Sequence, residues 1–245
     1  DREAKRVTGV GEAFFTLDSA GVPVDTLDIS RVRHDDPWIL KAHVTAPNGV
    51  DRSFMPLPVP FGPVEVWTIS KDGERITGRP SAYRFEVHHG DGRVTVIERD
   101  AEPVPVKPEE EEAGEQRIYA LMRDVDPNWR WDGPSVPDTK PFYSVIIPDR
   151  DGRLWVVREG EGHAVEGWTE PDDPRGWRHN PAWVSERWFE VFEEETGRYL
   201  GRVDVPDDFQ VHPEPFIQGN TVIALTEDAY GTPFVKRYRL EVEGG

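Results

Sequence analysis

The chain has 245 residues, and its 29 basic and 47 acidic side chains give a net charge of −18, a surface that repels phosphate backbones and argues against nucleic-acid binding. Hydrophobic residues make up 36% and tryptophans number nine, enough for a packed core, while 22 Gly and 23 Pro favour many turns over long helices. Cysteine is absent, which excludes disulfides, thiolate metal sites and a cysteine nucleophile, and no apolar run approaches the length of about 18 residues that a membrane-spanning helix needs.

In chain order, "FFTLDSAGVPVDTLDI" (Phe14 to Ile29) reads as two short strands around Ser19–Gly21. Phe54 to Gly78 contains strand, turn, strand: "VEVWTIS", then Lys71-Asp72-Gly73, then "ERITG". "YRFEVHHGDGRVTVIERD" (Tyr83 to Asp100) turns at Gly90-Asp91-Gly92, and Val94 and Val96 alternate as in a half-buried strand. The pattern then restarts. "FYSVIIPDRDGRLWVVREG" (Phe142 to Gly160) parallels the first hairpin, and "WFEVFEEETGRYLGRVDVP" (Trp188 to Pro206) parallels the second. A last unit, "FIQGNTVIALTEDAYGTPFVKRYRLEV" (Phe216 to Val242), holds three strands and stops where a fourth is expected.

An inner hairpin followed by an outer hairpin is the four-stranded meander of a propeller blade, which recurs every forty to fifty residues or so. The expected fold is therefore all-β, of the six-bladed β-propeller type, with about three to four blades present. The blade pieces fall at about 1–35, 52–100, 141–206 and 209–243. An unclosed propeller leaves edges exposed. The chain also begins at Asp1 and carries no visible signal peptide, so an N-terminal segment of about two to three further blades is expected. An open sheet stack or small sandwich is the alternative.

Two insertions interrupt the repeat, at 106–125 and 161–184. In the first, Pro108 suits a first helical position, Glu109–Glu112 favour the positive end of the helix dipole, and Ile118, Leu121, Met122 and Val125 recur at helical spacing. It predicts one amphipathic helix over about 107–124, packed on a blade. The second is rich in Gly, Pro and Trp and reads as a long loop.

Taken together, "GVPVDTLDI", "FGPVEVWTIS", "DGRVTVIERDAEPVPV", "PDRDGRLWVVREG", "WFEVFEEETGRYLGRVDVP" and "FVKRYRLE" resemble the bacterial six-bladed β-propeller proteins of unassigned function, exported proteins related to the NHL-repeat and TolB-like propellers. "ERDAEPVPVKPEE" (Glu98 to Glu110) is the most specific of these phrases. The resemblance spans nearly the whole chain and corresponds to the C-terminal part of a complete family member. It implies a periplasmic or cell-surface location and supplies no catalytic residues.

Asp72-Gly73, Asp91-Gly92 and Asp151-Gly152 read as hairpin turns. "DRDG" (Asp149 to Gly152) lacks the oxygens and closing Glu of a calcium loop. The seven histidines form no tight metal pattern, and the adjacent His88 and His89 point to opposite sheet faces. His163 and His179 share the long loop with Glu161, Glu166 and Asp173 and could converge. "NWRW" and "GWRHNPAW" place Trp129, Trp131, Trp177 and Trp183 in loops beside Arg130, Arg175 and Arg178. Tryptophan and arginine together suit recognition surfaces, although loop tryptophans also fold back to fill gaps between blades. The strand tryptophans Trp67, Trp155 and Trp188 read as core. No Ser shows a local catalytic partner and no GxSxG elbow is present.

These residues support a binding or scaffold module for a protein, peptide or glycan ligand, with no catalytic residue, cofactor or metal assigned and no membrane insertion expected of this chain. The candidate ligand-binding residues are Trp129, Arg130, Trp131, His163, Trp177, Arg178, His179 and Trp183. The alternative is a propeller-type hydrolase or lyase with a metal on the axis, for which the inner strand starts offer Glu65, Tyr143, Ser144 and Gln218.

Overall fold

Short apolar runs broken by Gly turns give a chain of antiparallel hairpins. A computed structural model describes residues 14–17, 20–27, 36–45, 51–173, 176, 181–206, 208–227 and 232–241. Within them, β1 (Phe14–Leu17) pairs with β2 (Pro23–Leu27), and β3 (Ile39–Thr45) with β4 (Asp51–Pro58). A four-stranded meander follows: β5 (Val66–Ile69), β6 (Arg75–Gly78), β7 (Arg84–His88) and β8 (Val94–Glu98). After helix α1 (Pro108–Val125) comes a second meander of β9 (Val145–Pro148), β10 (Arg153–Ala164), β11 (Trp183–Glu193) and β12 (Tyr199–Asp204). A three-stranded sheet closes the described chain: β13 (Phe216–Gln218), β14 (Thr221–Glu227) and β15 (Pro233–Arg239).

The sheets stack face to face as propeller blades do, and the second meander is the filling. Its side chains alternate between two cores. Ile146, Leu154, Val156 and Phe192 meet Ile76, Phe85, Val87 and Ile97 of the first meander. Their neighbours Ile147, Trp155, Val157, Phe189 and Val191 meet Ile217, Val222 and Ala224 of the third sheet. Each fully buried side chain of this kind contributes about 1.5–3 kcal/mol. Edge-on aromatic pairs add specificity, with Phe85 and Phe192 centred 5.7 Å apart and Trp155 and Phe189 5.5 Å apart. The all-β, partial propeller architecture with one inserted helix is thus the observed one.

Turns tie neighbouring sheets together. Asp149 is buried and satisfied: Oδ1 accepts from the amides of Asp151 (2.8 Å) and Arg153 (2.9 Å), and Oδ2 from Trp155 Nε1 (2.9 Å) and Arg153 Nε (2.5 Å). Arg153 Nη2 then donates to the Gly219 carbonyl at 2.9 Å, and the Gly219 amide to Asp151 Oδ2 at 2.5 Å. The "DRDG" turn therefore latches the second meander to the third sheet. Asp36 plays a similar part for the β3–β4 hairpin. Burial pushes its carboxyl up, but the Trp38 and Glu65 amides and the Arg79 guanidinium outweigh that and hold it below the usual carboxylate range.

Some strands differ from expectation. Strand β3 lies where none was expected, and its partner β4 belongs to that hairpin rather than to the first meander. Strand β10 runs on through Ala164 and β11 begins at Trp183, so strand residues occupy both ends of the expected 161–184 loop. Val94 and Val96 lie on the open face of the first meander, 48% and 45% exposed, while Ile97 carries the core contact of β8. Trp155 is core, but Trp67 and Trp188 are only half-buried, with Trp188 stacked under Arg202 at 4.3 Å.

At one end of the seam between the two meanders, acids crowd together. Glu194 is buried, and both its oxygens lie out of reach of water. Burial raises its pKa above the ordinary carboxylate value, and the Glu74 and Asp72 charges raise it further. Glu74 is also 2.9 Å from Nδ1 of the buried His89, and Glu195 is 3.9 Å from it. A carboxyl whose folded pKa is raised binds more protons folded than unfolded, so stability falls as pH rises from the ordinary glutamate value through the raised one. Glu194→Gln should be more stable than the parent at pH 8 and nearer to it at pH 4.5, measured by urea unfolding. A gap that does not widen with pH contradicts this account. Gly152 has φ +77°, so Gly152→Val should lose roughly 1–3 kcal/mol. Unchanged urea stability would refute the turn's backbone requirement.

Candidate functional site

Helix α1 begins with Pro108 at its first turn and three acids, Glu109, Glu110 and Glu111, near the positive end of its dipole. Its apolar stripe is as expected. Ile118 and Met122 are buried against Leu40, Ala42 and Val59, with Val125 packed alongside, and Gly114 lets Pro60 approach closely. Glu110, Gly114, Ile118 and Leu121 recur on the same face at helical spacing, so the face that turns inward carries a carboxylate at its N-terminal end.

That carboxylate is the electrostatic centre of the site. Glu110 Oε1 lies 2.7 Å from Lys140 Nζ, and the two side chains are 2% and 0% exposed. Lys140 also donates to Ser185 Oγ on β11 at 2.7 Å, and its ammonium sits 5.3 Å from the centre of the Phe61 ring. Lys107 fastens the same junction by donating to the Gly162 carbonyl at 2.9 Å and pairing with Glu161 at 3.3 Å. The β10–β11 register shifts between Glu159 and Gly162, and a Cβ at Gly162 would overlap the Glu110 carboxylate. The hairpin therefore reaches the helix only because position 162 is glycine.

Around this junction opens a cavity of about 540 Å³. Helix α1 forms one wall, the proline-rich 57–66 segment another, and Trp183, Val184, Ser185 and Arg187 of β11 a third. Tyr143 and Ser144 complete it. Apolar surface predominates, with Arg117, Glu159 and Arg187 among the polar groups. A cleft of this size and character suits a small molecule or a short segment of a larger ligand.

The sequence-chosen residues divide. Trp183 lines the cavity. His163 is exposed on the same hairpin, 3.5 Å from Glu186. Trp129 is buried behind α1, its indole N–H donating to the Lys41 carbonyl at 3.0 Å. Trp131 packs against Trp129 and Tyr119 and donates to the Pro134 carbonyl at 2.8 Å. Both therefore fill the gap between helix and β3–β4 hairpin, while Arg130 between them is exposed. Trp177, Arg178 and His179 lie outside the described residues. Glu110, Lys140 and Ser185 escaped the sequence reading, which found no partner for any serine. Ser185 lies 45 residues from Lys140, and the only local signal was Glu110 in register with the apolar stripe.

Two of the four residues offered for an axial metal, Tyr143 and Glu65, are otherwise engaged. Tyr143 is buried, which pushes its phenol above the ordinary tyrosine value, and its hydroxyl donates to the Arg84 carbonyl at 2.8 Å. Glu65 lies 3.9 Å from Arg79. Among the described residues no group of three or more His, Asp or Glu has metal-holding geometry, and no helix is long and apolar enough to cross a membrane.

No protein-family model matches the chain, and no curated protein does. Among solved structures, the chain is similar to a catalytically inactive virginiamycin B lyase from Staphylococcus aureus with quinupristin, at 12% identity and a TM-score of 0.23, covering 85% of this chain and 73% of that one. The selenomethionine-substituted form of that lyase aligns at 11% identity and a TM-score of 0.18, covering 85% and 87%. Superpositions this loose define neither family nor function, and the architecture rests on the sheets themselves.

Breaking a buried ion pair from one side leaves an uncompensated charge, which costs about 3–5 kcal/mol. Lys140→Met should show that loss in urea unfolding, and the double variant with Glu110→Leu should recover much of it. A double variant as weak as the single one would contradict the pairing.

Proposed function

We propose that the protein is a ligand-binding module of an exported, six-bladed propeller, that it takes a protein, peptide or glycan segment, and that the cavity beneath α1 receives it. The observation that carries the reading is the cavity itself, whose proline and aromatic walls surround a few fixed polar groups. The resemblance to exported propellers supports the periplasmic or cell-surface placement. A hydrolase or lyase with an axial metal is the weaker reading, because Tyr143 and Glu65 already have structural partners.

The test is thermal unfolding with short peptides and oligosaccharides, followed by amide NMR of any compound that stabilises. Shifts centred on Ile118, Leu121 and Val184 are expected, and Val184→Trp, which narrows the mouth, should abolish them. Binding that maps elsewhere contradicts the assignment. A stabilisation of several degrees by a divalent metal, lost with chelator, would favour the enzymatic reading instead.

A further inference from the structure

We infer that the cavity recognises an uncharged hydroxyl, as a glycan presents, and that the second carboxylate oxygen of Glu110 is the acceptor that reads it. This rests on the cavity being the ligand site. Glu110 lines the cavity, with its side chain 2% exposed. Oε1 is taken by Lys140 Nζ at 2.7 Å, while Oε2 is buried and has no hydrogen-bond partner among the described residues. An ionised carboxylate oxygen only accepts, and leaving it unmet in a buried place is costly. The last torsion of a glutamate is soft, so a small turn about it, with Oε1 still held by Lys140, brings Oε2 to a donor in the cavity. Lys140 also fixes a complementary group. An ammonium has donors and no acceptor, so Ser185 Oγ, 2.7 Å from Nζ, accepts from it. The serine's own hydrogen then points elsewhere on the lining, with no other partner among the described residues.

Acceptor and donor sit around one ammonium, so one small group can meet both. A hydroxyl gives its hydrogen to Oε2 and takes one from Ser185. A carboxylate only accepts and an ammonium only donates, so neither satisfies the pair. The lining does not call for a charged ligand either. Lys140 matches Glu110, Glu159 and Arg187 stand opposite each other in the β10–β11 register, and Arg117 is engaged in an interaction of its own. A glycan fits this set: it is uncharged, its hydroxyls both donate and accept, and the apolar face of its ring suits the wall formed by Phe61 and Trp183.

The test compares four probes with one body and different heads: 3-phenylpropan-1-ol, its methyl ether, 3-phenylpropanoate and N-methyl-3-phenylpropanamide, the last standing for a peptide bond. Affinities are read by amide NMR titration of the full chain, at Leu121 and Val184. The alcohol should bind about tenfold more tightly than the ether, which lacks only the donor, and than the carboxylate. Glu110→Gln tests the acceptor itself. Lys140 keeps hold of the amide oxygen, which puts Nε2, a donor, where Oε2 was. The preference for alcohol over ether should then fall to about one, a change that a merely structural role of Glu110 would not produce. Urea unfolding reports whether the variant folds, and the comparison of probes on the parent stands without it. An ether or a carboxylate that binds as well as the alcohol, or a preference unchanged in Glu110→Gln, overturns the inference and leaves the cavity as a ligand site. An N-methylamide that binds more tightly than the alcohol overturns the glycan assignment in favour of a peptide. If none of the four binds, both the inference and the cavity reading fall.

Discussion

Strand β10 is apolar on both faces, and the rest of the molecule is arranged to cover it. Leu154 and Val156 need the first meander, and Trp155 and Val157 need the third sheet. A strand buried on both sides cannot be solvated without losing several side chains' worth of transfer energy. The demand continues to Arg158, whose guanidinium lies 4.7 Å from the centre of the Tyr83 ring, while the Tyr83 hydroxyl donates to Glu190 across the same seam. Beyond Glu159 the strand leaves the stack and becomes part of the hairpin that meets α1. One strand therefore anchors the fold with its first half and builds the site with its second.

The charge distribution follows the same division. Carboxylates at element junctions are neutralised one by one: Asp36 by Arg79, Asp149 by Arg153, Glu110 by Lys140. A buried pair of this kind adds little net stability over apolar residues of the same volume, but it is costly to mismatch. Its consequence at Glu110 is positional. The helix can settle only where Lys140 and the hairpin meet its first turn, and Gly162 sets how close they come. Glu194 is the exception, a buried acid among acids, and it makes the seam between the two meanders sensitive to pH.

The hairpins were legible in the sequence because each announces itself locally, with a glycine turn between apolar runs. The helix was legible because Pro108, the acidic first turn and the spacing of Ile118, Leu121 and Met122 agree. Strand β3 was not, since Ile39 to Thr45 mixes charged, small and branched residues without clean alternation. The facing of β8 was misread because Val94 and Val96 alternate as well as any buried pair, and only the sheet's partners decide which face is open. The site was the least legible part. Its central contacts join positions far apart in sequence, and its most conspicuous sequence signal, the tryptophans of "NWRW", is spent on packing the helix.

The most direct measurement of the central claim is a methyl NOE spectrum with assigned valine, leucine and isoleucine groups. If β10 lies between two sheets, Val156 methyls will show contacts to Ile76 and Val87, and Val157 methyls to Val222 and Ile217, with neither set shared. Cross-peaks from both valines to the same sheet would mean that the strand has only one buried face, and the stacked-sheet account, with the site it positions, would be wrong.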